Sequence, residues 1–217
     1  MKYKGLIFDM DGVLIDSEPI YKKIENQLYK DLNIQPTNKE IAGSMGRGCA
    51  NWWSDLKKMY HLNINPEDMA QKEISIYWND YLSHEAIKES IFEKVHYCFK
   101  TLKNKGAHLC IASGSTQKIV EKVVELIDIK NEIEGYVSID DVKEGKPQPD
   151  LFLEAAKKMN LCGSNCLVID DATNGLIAAR AANMDCFLFA SASREMVDAN
   201  LADDIVFSHQ DIIQKLC

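Results

Sequence analysis

Six short apolar runs punctuate the chain: "GLIF" (5–8), "HLCIA" (108–112), "GYVSI" (135–139), "CLVI" (166–169), "CFLFA" (186–190) and "DIVF" (204–207). Within each run apolar residues follow one another without polar alternation, the pattern of strands buried on both faces of a parallel sheet. Helical patterns stand between them. In "STQKIVEKVVELIDI", Ile119, Val120, Val123, Val124 and Ile127 fall on one face at helical spacing. "DLFLEAAKKM" follows Pro149, a residue suited to a first turn, and "TNGLIAARAANM" is an Ala-rich helix starting after Thr173. Strand and helix in alternation predict a doubly wound, Rossmann-like α/β core around a parallel sheet.

Residues 16–87 read differently. No strand-like run occurs there. Ile20, Ile24, Leu28 and Leu32 recur every four residues, and Pro36 and Pro66 punctuate further helical stretches, including "NWWSDLKKMY" and "EDMAQKEISIYWNDYL". The expected organisation is an α/β core from 1–15 and 88–217, with an all-helical domain, 16–87, inserted after the first strand.

Charge and cysteine usage narrow the partners. The 217 residues carry a net charge of −8. That excess argues against nucleic acid or an anionic membrane surface as the main partner, since both demand clustered Lys and Arg. A small anionic substrate remains compatible, because a local cation overrides the global sign. The seven cysteines form no CxxC, and several sit in apolar runs, so they read as reduced thiols. The first apolar run is too short for a signal peptide, and no stretch approaches the roughly 18 apolar residues of a membrane span. A cytoplasmic monomer is expected.

The chemistry lies at the strand ends, where open parallel sheets place their ligands. "GLIF" is followed by Asp9 and Asp11, "HLCIA" by Ser113, Gly114 and Ser115, and "CLVI" by Asp170 and Asp171. Beyond "GYVSI", the loop "EGKPQPD" carries Lys146. Parallel, adjacent strands would gather four carboxylates, a hydroxyl-rich turn and a lysine at one edge. Two unit charges 4 Å apart repel by roughly 4 kcal/mol at an effective dielectric near 20, so the acids need a proton or a cation. Hard oxygen ligands suit Mg²⁺, which binds through a few carboxylates and substrate phosphate. Ser113 and the amides of Gly114 and Ser115 are expected at a helix N-terminus, a phosphate-binding position. Together these groups describe a phosphoryl-transfer site. One of Asp9 and Asp11 would attack phosphorus and the other would move protons. Strand alternation would put both on the same side, and Gly12 would let the chain turn around the phosphate.

"DMDGVLIDSEP", "IASGS", "GKPQPD" and "VIDDATNGLIAARAANM" resemble, in order and spacing, the four motifs of the haloacid dehalogenase superfamily in its phosphatase and phosphomutase branch. The resemblance implies Asp9 as nucleophile and metal ligand, and Asp11 as general acid/base with its carbonyl on the metal. It implies Ser113 and Lys146 on the phosphoryl group, Asp170 and Asp171 completing a Mg²⁺ site, and the helical block as a mobile cap. Asp11 sets the chain apart from dehalogenase members, which lack the second acid. Two departures stand out: Asp170-Asp171-Ala172 where Glu-Asp-Ser is common, and Glu93-Lys94 where Pro-Gly is common. Asp170, being shorter, could reach the metal through water.

In the helical block, Arg47 lies between glycines in "SMGRGCAN" and is either a substrate contact or a solvated side chain; Glu18 is a second candidate contact. Trp52, Trp53 and Trp78 read as core in preference to stacking platforms. The expected activity is Mg²⁺-dependent hydrolysis of a small phosphorylated metabolite, a sugar phosphate, through an aspartyl-phosphate. The rival readings are a phosphomutase of the β-phosphoglucomutase type and a non-catalytic phosphometabolite-binding protein.

Overall fold

The computed structural model describes residues 2–44, 49–83, 86–190 and 197–217. The chain divides into two compact units, one of Met1–Asp16 with Lys88–Cys217 and one of Ser17–Ile87. Asp16 therefore belongs with the first strand.

The first unit is a six-stranded, wholly parallel sheet. Its strands are β1 (Gly5–Phe8), β2 (His108–Ala112), β3 (Gly135–Val137), β4 (Cys166–Asp170), β5 (Asp185–Phe189) and β6 (Asp204–Val206). The spatial order is β3-β2-β1-β4-β5-β6. This is the doubly wound α/β architecture that the alternation predicts. The apolar runs are continuous because both faces are covered. On one face Ile7, Cys110 and Val168 pack among Leu151, Phe152 and Ala155 of a helix at Asp150–Lys158 and Leu176 and Ala179 of another at Thr173–Ala181. On the other, Phe8 meets Phe99 at 4.6 Å between ring centroids, and Phe189 meets His209 at 5.1 Å. Those partners come from helices at Val95–Asn104 and His209–Leu216.

Two predicted strands are shorter than their apolar runs. In "GYVSI" the strand stops at Val137, because Ser138 caps a 3₁₀ turn: its amide and hydroxyl both donate to Asp141, at 2.8 and 2.9 Å. In "DIVF" the strand ends at Val206, leaving Phe207 exposed.

Among its described residues, the regular structure of the second unit is all helical. Numbered along the whole chain, its helices are α1 (Glu18–Asp31), α2 (Asn38–Ser44), α3 (Cys49–Met59) and α4 (Pro66–Ile76); the first unit holds α5 (Val95–Asn104), α6 (Gln117–Ile127), α7 (Asp150–Lys158), α8 (Thr173–Ala181) and α9 (His209–Leu216). Ile20, Ile24 and Leu28 face inward at the predicted spacing. Asn65 caps α4, with Pro66 at its first turn. The segment expected to continue as one α-helix changes at Tyr77–Leu82 into a π-helix, where Ser83 N–H reaches back five residues to Trp78. Trp52 and Trp53 are buried core residues: their indole N–H groups donate to Tyr29 Oη and Glu73 Oε2, each at 2.8 Å. No helix of the described residues is long and apolar enough to cross a membrane.

Candidate active site

Register does the first work of assembly. Phe8 lies opposite Ile111 on one side and Ile169 on the other. The residues one step further on, Asp9, Ala112 and Asp170, therefore come level at the carboxyl edge of the sheet. Asp9 leaves the strand but still donates its N–H to Ile169 O at 2.9 Å. Asp9, Asp170 and Asp171 are all buried, and each offers a carboxylate oxygen within 4.8 Å of the others. Lys146 arrives on the loop after β3. Its Nζ donates to Asp9 Oδ1 at 2.6 Å and to Asp170 Oδ2 at 2.8 Å, and lies 5.0 Å from the centre of the Phe152 ring. Asp170 Oδ1 also accepts from Ala172 N–H at 2.9 Å.

Two glycines make room for the acids. Gly12 has a φ of +84°, the left-handed conformation of a sharp turn, and a Cβ there would strike the Asp171 carboxylate. Gly175, in the first turn of α8, is set so that a Cβ would strike the Asp170 carboxylate. Gly175 was not singled out from sequence. The available signal was a glycine inside an otherwise Ala-rich helix, where glycine is disfavoured.

The hydroxyl-rich turn follows β2. Ser113 is buried, donates its N–H to Val137 O at 2.9 Å, and its Oγ accepts from Ser115 N–H at 3.0 Å. The expected helix N-terminus is not at these residues. α6 begins at Gln117, because Thr116 is extended and Asp140 receives the Gln117 N–H at 2.8 Å. Gly114 and Ser115 thus form a turn ahead of the helix. Asp11 also departs from expectation. β1 stops at Phe8, so strand alternation does not orient Asp11. The chain turns instead, with Gly12 N–H donating to Ile15 O at 2.7 Å, and Asp11 Oδ2 accepts from Ser115 Oγ at 2.9 Å.

Glu18 opens α1 in the helical unit, where it pairs with Lys22 at 2.7 Å. Arg47 lies outside the described residues.

Electrostatics follow from burial. Loss of hydration pushes the Asp9 carboxyl up to about 7; Lys146 opposes this shift, and Asp170 adds to it. Burial alone would lower the Lys146 ammonium, but the Asp170 and Asp9 carboxylates outweigh it and raise its pKa. One ammonium facing three buried carboxylates leaves an excess of negative charge. The donors are hard oxygens at close range, so the set fits a small divalent cation.

The chain matches the family described as haloacid dehalogenase-like hydrolase over residues 3–183, and it belongs to that family. It is 28% identical over 191 residues to the fructose-1-phosphate phosphatase YqaB of Escherichia coli (strain K12), covering 85% of this chain and 95% of that protein. It is also 28% identical over 200 residues to the protein SUPPRESSOR OF QUENCHING 1, chloroplastic, of Arabidopsis thaliana, covering 90% of this chain but only 19% of that longer protein. Among solved structures, the β-phosphoglucomutase of Clostridium difficile superposes with a TM-score of 0.79 over 98% of this chain and 96% of that one, at 20% identity. That likeness is one of fold.

Proposed function

We propose that the protein is a Mg²⁺-dependent phosphatase acting on a small phosphorylated metabolite, a sugar monophosphate. The observation that carries this reading is the convergence of Asp9, Asp170 and Asp171 with Lys146 at one sheet edge. Asp9 is the nucleophile. Its carboxylate attacks phosphorus, the bond to the leaving oxygen breaks, and Asp11 gives that oxygen a proton. Asp11 then takes a proton from water, which attacks the aspartyl-phosphate, releases inorganic phosphate and restores Asp9. Ser113, Lys146 and the amide of Gly114 hold the phosphoryl oxygens, with Gly12 opening the turn beside them; the Ser115 amide, expected among them, donates instead to Ser113 Oγ at 3.0 Å. Mg²⁺ would be held by Asp9, Asp170, Asp171 and the Asp11 carbonyl, where it would neutralise charge on the phosphoryl group.

The helical unit is assigned the role of a cap that selects the substrate, with Arg47 and Glu18 as its candidate contacts. The relative named as a fructose-1-phosphate phosphatase supports a sugar phosphate. The mutase alternative draws on a fold likeness at 20% identity and on no residue of its own.

A screen of phosphorylated metabolites scored by free phosphate tests this reading. The expected result is Mg²⁺-dependent release from a sugar phosphate, abolished by chelator and inhibited by Ca²⁺, which prefers more ligands in looser geometry. Full activity in excess chelator would contradict the metal reading. Release only in trace, with a requirement for a sugar bisphosphate, would point to the mutase.

A further inference from the structure

Asp11 and Ser115 come from different strand ends, 104 residues apart, and are joined by a hydrogen bond of 2.9 Å from the serine hydroxyl to Asp11 Oδ2. The serine is not free to wander. Its amide N–H donates to Ser113 Oγ at 3.0 Å, and its carbonyl accepts from Ile139 N–H at 3.1 Å. These bonds tie its backbone to the segments that follow β2 and β3. Asp11 is held on its own side by the tight turn in which Gly12 N–H meets Ile15 O at 2.7 Å.

From this geometry we infer that Ser115 is a positioning residue for proton transfer, its hydroxyl orienting the Asp11 carboxyl toward the leaving oxygen. The inference rests on the acid–base role proposed for Asp11. The carbonyl oxygen of a protonated carboxyl is a better acceptor than its hydroxyl oxygen, so a hydrogen bond accepted at one oxygen favours the proton on the other. Donation to Oδ2 therefore directs the Asp11 proton to Oδ1. In the first half-reaction the Asp9 oxygen bonds to phosphorus, and the electron pair of the breaking P–O bond goes to the leaving oxygen. That oxygen takes the proton from Asp11 Oδ1. Asp11 is left as a carboxylate, and the Ser115 hydroxyl continues to donate to it. Water later returns the proton to Asp11 as the phospho-enzyme is hydrolysed. β1 ends at Phe8, so strand geometry does not orient Asp11, and the serine supplies an external constraint. Small losses of alignment in such a group are costly to rate.

The leaving group separates positioning from mere structure. An alkoxide from a sugar phosphate needs a proton as the P–O bond breaks; p-nitrophenolate leaves without one. The quantity kcat/KM reports events up to the first irreversible step, formation of the phospho-enzyme. It would be measured with Mg²⁺ for wild type, Ser115→Ala, Ser115→Thr and Asp11→Asn, on a sugar monophosphate taken from the screen and on p-nitrophenyl phosphate. Ser115→Ala should lose roughly tenfold or more on the sugar phosphate, the effect of one hydrogen bond to a charged group, and less than about threefold on the aryl ester. Ser115→Thr, which keeps the hydroxyl, should recover most of the loss. Asp11→Asn should show the same selectivity more strongly. Equal losses on both substrates in Ser115→Ala, or no loss on either, would overturn the inference while leaving Asp11 as the acid. If Asp11→Asn itself spares the sugar phosphate, the acid–base reading falls and this inference falls with it.

Discussion

Lys146 Nζ stands 2.6 Å from Asp9 Oδ1. The two residues are 137 positions apart, and the loop that delivers the lysine belongs to a strand two places away from the one that delivers the acid. The same ammonium reaches Asp170 at 2.8 Å, so one cation bridges both ends of the chain at the sheet edge. Removing one acid leaves Lys146 with a partner. Removing the lysine leaves buried carboxylates without their cation, the costlier change.

Asp9→Asn should therefore abolish turnover while preserving the fold. The amide is nearly isosteric but is a poor nucleophile, and a loss of roughly a thousandfold or more in kcat is expected. Lys146 keeps Asp170, and repulsion within the acid cluster falls, so the melting temperature should hold or rise slightly. Phosphate release and thermal unfolding check both halves; substantial residual activity would sink the nucleophile assignment.

Gly175→Ala tests the space beside Asp170. In an exposed helix this substitution stabilises by about 1 kcal/mol. Here the new Cβ would strike the Asp170 carboxylate, which must move. Expected is at least a tenfold fall in activity, with a higher Mg²⁺ concentration needed for half-activation. A variant of unchanged Mg²⁺ response would show that Asp170 tolerates displacement.

His209 predicts an acid limb in stability. It is buried between the rings of Phe92 and Phe189, and burial lowers its pKa from 6.5 to about 4. The native state resists protonation that the unfolded chain accepts. Stability is therefore fully present above pH 6.5 and is lost as pH falls through about 4, by about 3 kcal/mol in all. Urea unfolding of wild type and His209→Leu across this window should show that limb shrinking in the variant.

Lys94→Gly should stabilise the protein. Lys94 holds a φ of +64° just before α5, a left-handed conformation that costs a side-chain residue roughly 1–2 kcal/mol. Glycine adopts it freely but loses more entropy on folding. A net gain of about 0.5–1 kcal/mol is expected from urea melts, with kcat unchanged. A destabilised variant would mean that the 3.4 Å contact from Lys94 Nζ to Gln210 matters more than the backbone.

Much of the architecture was legible because strands and helices are local. Buried strands read as unbroken apolar runs when both faces are covered, as β1, β2 and β4 are. α6 read as a helix because Ile119, Val123 and Ile127 repeat with its turn. Asp9, Ser113 and Asp170 were legible as candidates because parallel strands all end at the same edge. Lengths were less legible: Ser138 diverts "GYVSI" into a capped turn, and Tyr77 begins a π-helix, through hydrogen bonds that hydrophobic period does not encode.

Tertiary structure decided the rest. Strand order set β1 between β2 and β4, and register brought Asp9 level with Asp170. Neither is written in any single stretch, since each is a choice among pairings of segments more than 90 residues apart. The same holds for the Ser115 hydroxyl on Asp11 and for Asp171 beside Gly12. Residue type and spacing along the chain specify which groups are available and which local conformations they favour. Which groups touch depends on the packing of the whole sheet, because only there do burial and pairing across strands outweigh the freedom of each segment.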